Sequence, residues 1–152
     1  MEQLTAREVA CLADELHRKL DVHAPVQSLL PLLAQDGFEI RISDGTFKGR
    51  EGFERFYEGW IGRFFDETHE VKQLTVVSSG DRADVSVVVN WQARMWNPPE
   101  AKSRFLDIDE YQTWVVQRSP VSGAPVILSY IVDALKPMLG SDSIQQRSNG
   151  GS

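Results

Sequence analysis

The chain contains one cysteine, Cys11, so neither an intramolecular disulfide nor a multi-cysteine zinc site can form. Cys11 falls within a helical pattern, where it reads as a small buried apolar side chain rather than a reactive thiol. Histidine is scarce too. The three residues are dispersed, with no HxH, HxxxH or HxxE spacing, so no metal site is expected. No apolar run approaches the roughly 18 residues of a membrane span. The opening MEQLTAREVACL has early acidic residues and no long apolar core, which argues against a secretory leader. Basic residues number 16 against 22 acidic ones, a formal charge of −6, so no general field attracts phosphate backbones or anionic lipid. Nucleic acid and membranes are not expected partners, and the cytoplasm is the expected compartment. A P-loop, a Gly-rich dinucleotide turn and a GxSxG elbow are all missing, so nucleotide cofactors and serine hydrolase chemistry have no support. No cofactor is expected.

What is present suits one globular domain: 152 residues, 41% hydrophobic and 25% charged, are enough to bury a single core. Thr5 with Glu8 three residues on has capping-box spacing, and Val9, Leu12, Ala13, Leu16 and Leu20 follow as one apolar stripe of a first helix. Pro25 suits the first turn of a second helix, PVQSLLPLLAQ, which Pro31 should kink or shorten and Gly37 should stop. FEIRIS alternates like a strand and leads through Asp44-Gly45 into TFKG, a hairpin. REGFERFYEGWIGRFF places Phe53, Phe56, Tyr57, Trp60 and Phe64 on one face of a third helix. Four long strands follow, HEVKQLTVVSS, RADVSVVVNWQARMW, SRFLDIDEYQTWVVQ and APVILSYIVDALK. The polar segment 140–152 reads as a disordered tail. The expected architecture is α+β, with three helices from the N-terminal half packed on one face of an antiparallel sheet. VSVVVNW is apolar on both faces, so a second copy is expected to cover the outer one, giving a homodimer.

The order helix pair, LLAQDGFEIRI, GTFKGREGFERFY, GDRADVSVVVNW and DIDEYQTWVV resembles the nuclear transport factor 2-like superfamily, and within it the SnoaL-like branch that also holds ketosteroid isomerases and limonene epoxide hydrolases. The resemblance covers residues 5–139 and assigns one domain to residues 1–139. It implies a cone-shaped roll, a curved sheet wrapped around helices, with an apolar pocket at its open end for a small hydrophobic or aromatic ligand, and dimerisation through the convex face. Cofactor-free isomerisation, cyclisation or dehydration is the implied chemistry; a binding or association module without catalysis is the alternative.

Carried onto this chain, the resemblance yields candidate residues. In ketosteroid isomerases a carboxylate base stands near the first strand. An ungapped alignment puts Arg41 there, a shift of one puts an isoleucine there, and Glu39 and Asp44 match neither register, so steroid-type isomerisation is not expected. The helix-one tyrosine position falls near His17, a pocket donor or a half-exposed surface residue. The strand aspartate of the oxyanion site matches Asp109; if it points inward, period two carries Tyr111 and Thr113 with it and leaves Glu110 and Gln112 outside. Asp133 resembles the late aspartate of SnoaL-like cyclases, and the register that turns Ile127 and Ile131 inward turns Ser129 and Asp133 inward too. The alternative for Asp133 is a strand-end ion pair with Lys136 or Arg41. Asp109, Asp133 and Arg41 together would make an acid-base set. His69 stands where scytalone-dehydratase-like members carry a histidine, or else is structural. Tyr57, Trp60, Trp91, Phe105 and Tyr111 are candidate pocket walls, or plain core.

Overall fold

The computed structural model describes residues 2–144. The first helix, α1 (Ala6–Asp21), starts as its sequence dictates. Thr5 Oγ1 accepts the Glu8 amide at 3.1 Å while Glu8 accepts the Thr5 amide at 3.2 Å, which satisfies two amides the helix cannot pair internally. Its stripe of Val9, Leu12, Ala13, Leu16 and Leu20 is buried, and His17 is buried with it. Cys11 is exposed, contrary to expectation, because it lies off that stripe. The second helix, α2 (Val26–Leu29), passes into a 3-10 turn at Leu30–Leu32, where Pro31 removes an α-helical donor. Gly37, at φ +79°, closes the turn into the hairpin.

The hairpin strands β1 (Glu39–Ile42) and β2 (Gly45–Lys48) precede α3 (Gly49–Arg63). Aromatic spacing carries the expected helix through Phe65, but it ends at Arg63. Phe64 is extended and pairs with Met95 as the first residue of a strand, so tertiary pairing overrides the helical period. The long strands are β3 (Phe64–Ser79), β4 (Arg82–Met95), β5 (Arg104–Arg118) and β6 (Pro125–Pro137).

These six strands form one curved, unclosed sheet in the order β2-β1-β6-β5-β4-β3, an α+β roll. It is mixed rather than wholly antiparallel, because β1 runs parallel to β6. The helices cover its inner face, where α1, α3 and the strands share one large core that includes Trp114 at 0% exposure. A second cluster, Phe64, Trp91, Ala93, Met95, Leu106 and Ile108, fills the other end. Along β4 the alternation is clean: Val85, Val87, Val89 and Trp91 face in, while Ser86, Val88 and Asn90 face out. The outer face therefore receives one valine from VSVVVNW, not a continuous apolar row.

Residues 140–144, expected as tail, are held against β5. Asp142 N–H donates to the Phe105 carbonyl and the Phe105 amide donates back to Asp142 Oδ2, both at 2.8 Å. Ile144 packs on the second cluster. The remainder of the expected tail, 145–152, lies outside the described residues. Among the described residues no helix is long and apolar enough to cross a membrane.

Candidate active site

Between α3, β1 and the inner face of the sheet lies a cavity of about 330 Å³, walled by Phe38, Ile40, Phe56, Trp60, Phe64, Trp91 and Ile127 and reached by the side chains of His69, Glu110 and Tyr130. Its walls are mainly apolar, and Ser43, Asp44, Arg55 and Arg63 also line it, a mixture in keeping with a small-molecule site.

His69 owes its direction to a β-bulge. Phe65 pairs with Arg94 and Thr68 with Gln92, so β3 carries an extra residue there, and Asp66 takes φ +52° to absorb it. The slip leaves Phe64, Glu67 and His69 all facing inward. The imidazole Nδ1 of His69 is 2.6 Å from Asp21 Oδ1, and the backbone amide of His69 donates to Asp21 Oδ2 at 3.2 Å. Asp21 is the last residue of α1. Because the carboxylate only accepts, it fixes the neutral ring with its proton on Nδ1 and leaves the Nε2 lone pair as the basic atom. The His69 side chain is only 4% exposed, whereas that of Asp21 is 23% exposed.

His17 backs this pair. Its ring lies parallel to that of His69 within 8°, 5.0 Å between centroids, and neither ring nitrogen has a hydrogen-bond partner among the described residues. Burial, reinforced by the charge His69 carries when protonated, pushes its pKa down to about 3. It is a neutral plate behind the base. On the other side Trp60 and Trp91 flank His69, with centroids 6.1 and 6.3 Å away. Trp91 is anchored by its indole N–H, which donates to Glu67 Oε1 at 2.9 Å, while Glu67 Oε2 meets His23 Nε2. Burial pushes the Glu67 carboxyl upward against these bonds.

On the same inner face, beyond β4, β5 carries Glu110, Gln112 and Trp114 inward, and Glu110 lines the cavity. Trp114 Nε1 donates to Gln112 Oε1 at 2.9 Å, and Gln112 Nε2 donates to Glu110 Oε1 at 2.8 Å. Burial raises the Glu110 pKa, opposed by the Gln112 bond and, when His69 is protonated, by its charge. Burial likewise holds the hydroxyl of Tyr130 above the usual phenol value, against a hydrogen bond to Gln112.

The structure gathers only part of the expected set. Trp60, His69 and Trp91 line the cavity, and His17 is buried behind His69 rather than half exposed. Tyr57 is core: it is 3% exposed and its hydroxyl donates to the Ala24 carbonyl at 2.6 Å. Burial lifts its pKa to about 12. On β5 the inward register is opposite to the expected one. Asp109 faces outward, where it accepts from Lys72 at 2.8 Å and Asn90 at 3.0 Å. Those bonds lower its pKa, the reverse of what an inward, desolvated carboxyl would show. Tyr111 and Phe105 share the outer face, Tyr111 39% exposed and Phe105 under the Arg94 guanidinium. On β6 two bulges break the period. Val115 and Val116 face Ser129 and Ile127, and Tyr111 and Gln112 face Ala134 and Val132, so Ile127, Tyr130, Val132 and Leu135 reach the cavity. Asp133 points away and accepts the Thr113 hydroxyl at 2.6 Å. Arg41 is exposed and lies 3.5 Å from Glu39. Asp109, Asp133 and Arg41 thus do not converge.

Asp21, Glu67, Glu110 and Tyr130 were not among the expected residues. Asp21 lies four positions after His17, on the same face of α1, which is the one sequence signal that could have found it.

No protein-family model and no curated protein matches the sequence. Solved structures do resemble it. A hexachlorocyclohexane dehydrochlorinase of Novosphingobium barchaimii is 17% identical over 91% of this chain and 93% of its own, with a TM-score of 0.71. A Novosphingobium aromaticivorans protein provisionally named a scytalone dehydratase is 17% identical over 92% of this chain and 89% of its own, with a TM-score of 0.71. A Pseudomonas putida protein of unknown function, described as nuclear transport factor 2-like, is 17% identical over 91% and 92%, with a TM-score of 0.63. This chain has the nuclear transport factor 2-like fold.

Proposed function

From that fold as premise, we propose that the protein is a cofactor-free lyase of the SnoaL-like type that removes a proton from carbon in an apolar cavity, with His69 as the base and Asp21 as its orienting partner. The observation that carries the reading is the 2.6 Å contact between His69 Nδ1 and Asp21 Oδ1 at the wall of a substrate-sized cavity. A base must be within reach of the proton, and its other nitrogen must be held in one tautomer. Two of the fold neighbours bear names, a dehydrochlorinase and a dehydratase, that denote loss of HCl and of water. Trp60, Trp91, Phe56 and Phe64 suit a flat aromatic substrate.

For an imidazole to take a proton from carbon, the C–H bond must be acidified by a neighbouring group such as a carbonyl. The C–H electrons then form the double bond as the leaving group departs. A suitable probe is 4-chloro-4-phenylbutan-2-one, whose elimination to the conjugated enone is followed by absorbance. Wild-type protein should accelerate it above buffer, and His69→Gln should reduce that acceleration at least about 100-fold. Equal rates for wild type and His69→Gln would refute the base.

A homodimer through the outer sheet face is part of the same proposal. Support comes from Tyr111, exposed at 39%, paired with Val88 beside a shallow hollow of about 210 Å³.

A further inference from the structure

Glu110 is a carboxyl group at the cavity wall that the His69–Asp21 pair does not use. Its place follows from the register of the sheet. His69 pairs with Trp91 and Glu110 with Val89, two residues earlier on β4, so base and carboxyl sit on strands either side of β4, about 12 Å apart at the backbone. Both side chains point inward and line the same cavity.

The orientation of Gln112 is fixed chemically. An indole N–H only donates, so the Gln112 oxygen must face Trp114 and its amide nitrogen must face Glu110. Glu110 Oε1 is therefore an acceptor, and a proton on this carboxyl belongs on Oε2, the oxygen Gln112 leaves for the cavity. Burial favours the protonated form. Among the described residues no lysine or arginine makes an ion pair with it.

We infer that Glu110 is the catalytic acid opposite His69, donating its proton to a leaving hydroxyl, and that the substrates of this site are alcohols whose hydroxyl stands β to a carbonyl. This rests on the reading of His69 as the base. The step balances: His69 Nε2 takes the proton from carbon, the C–H pair becomes the C=C bond, the C–O bond breaks, and the Glu110 proton joins the leaving oxygen to give water. The imidazolium and carboxylate that remain face each other, and return of the proton from His69 to Glu110 restores both. Halide departs as a stable anion and makes no such demand, so the acid distinguishes dehydration from loss of chloride.

The test compares 4-hydroxy-4-phenylbutan-2-one with its 4-chloro analogue, with uncatalysed rates subtracted. In Glu110→Gln, which preserves size and hydrogen-bonding capacity, the ratio of hydroxyl to chloride elimination should fall at least about 100-fold. In His69→Gln both rates should fall together. A ratio within a few-fold of wild type in Glu110→Gln overturns the acid while leaving the base standing. Insensitivity of both rates to His69→Gln overturns the base, and the acid with it. A wild type that eliminates chloride but never water also overturns the acid. Independently of turnover, infrared difference spectra at neutral pH should contain a protonated-carboxyl stretch that Glu110→Gln removes; its absence from wild type overturns the proposal.

Discussion

Residues 48 apart in sequence, Asp21 at the end of α1 and His69 in β3, meet through two hydrogen bonds, one to the ring at 2.6 Å and one to the backbone amide at 3.2 Å. The double contact fixes both the tautomer and the rotation of the ring. Asp21→Asn keeps the shape but can donate as well as accept, so the tautomer is no longer enforced. Elimination of the chloro probe should drop by about 100-fold or more, while the melting transition, followed by circular dichroism, stays within a few degrees of wild type. A variant that keeps full rate would remove Asp21 from the site.

His17 makes stability depend on pH in a defined direction. The unfolded chain takes up a proton at this histidine below about 6.5, but the native chain only near 3. Between those values the unfolded state binds more protons, so stability falls as the pH falls, by up to about 1.4 kcal/mol per pH unit. His17→Leu should flatten the dependence by about one proton when urea unfolding is measured from pH 6.5 down to pH 4. It should also be neutral or stabilising at pH 7, since it removes a buried ring with no hydrogen-bond partner among the described residues. A parallel pH dependence in the two proteins would show that His17 is already charged or solvated in the native state.

Glu67 supports the cavity wall from behind. Its two oxygens serve Trp91 and His23, so Glu67→Leu leaves an indole N–H and an imidazole without their partner. The expected cost is about 1–3 kcal/mol in urea unfolding, accompanied by a shift in Trp91 fluorescence. Glu67→Gln, which can still accept from Trp91, should lose less.

On the outer face, Val88→Lys places a charge in the middle of the proposed dimer contact. If that contact exists, desolvating an unpaired ammonium weakens it by about tenfold or more, and sedimentation should show monomer at concentrations where wild type is dimeric. Wild type that sediments as a monomer at micromolar concentration would contradict the dimer.

Short-range signals survive folding better than strand register. The Thr5–Glu8 box, the α1 stripe and the Pro31 break depend on neighbours within one or two turns, so each stands in the structure as its sequence suggests. Register fails where it depends on distant pairing. Asp109 and Glu110 are adjacent acids, and a slip of one residue exchanges inside for outside; nothing local in IDEYQTW says which faces the core. On β6 the bulges opposite Tyr111/Gln112 and Val115/Val116 break the period twice, so Asp133 cannot be placed by counting from Ile127. His69 is legible in the sequence as a candidate, but its partner Asp21 ends a helix formed from another part of the chain. Only the three-dimensional fold joins them.

The role of His69 is tested most directly by nitrogen NMR of the protein labelled at histidine, observed at neutral pH with and without the enone 4-phenylbut-3-en-2-one. His69 should carry its proton on Nδ1, its unprotonated Nε2 resonance should shift when the enone fills the cavity, and Asp21→Asn should abolish the single-tautomer signal. A His69 protonated on Nε2, or an Nε2 resonance indifferent to enone that is demonstrably bound, would contradict it.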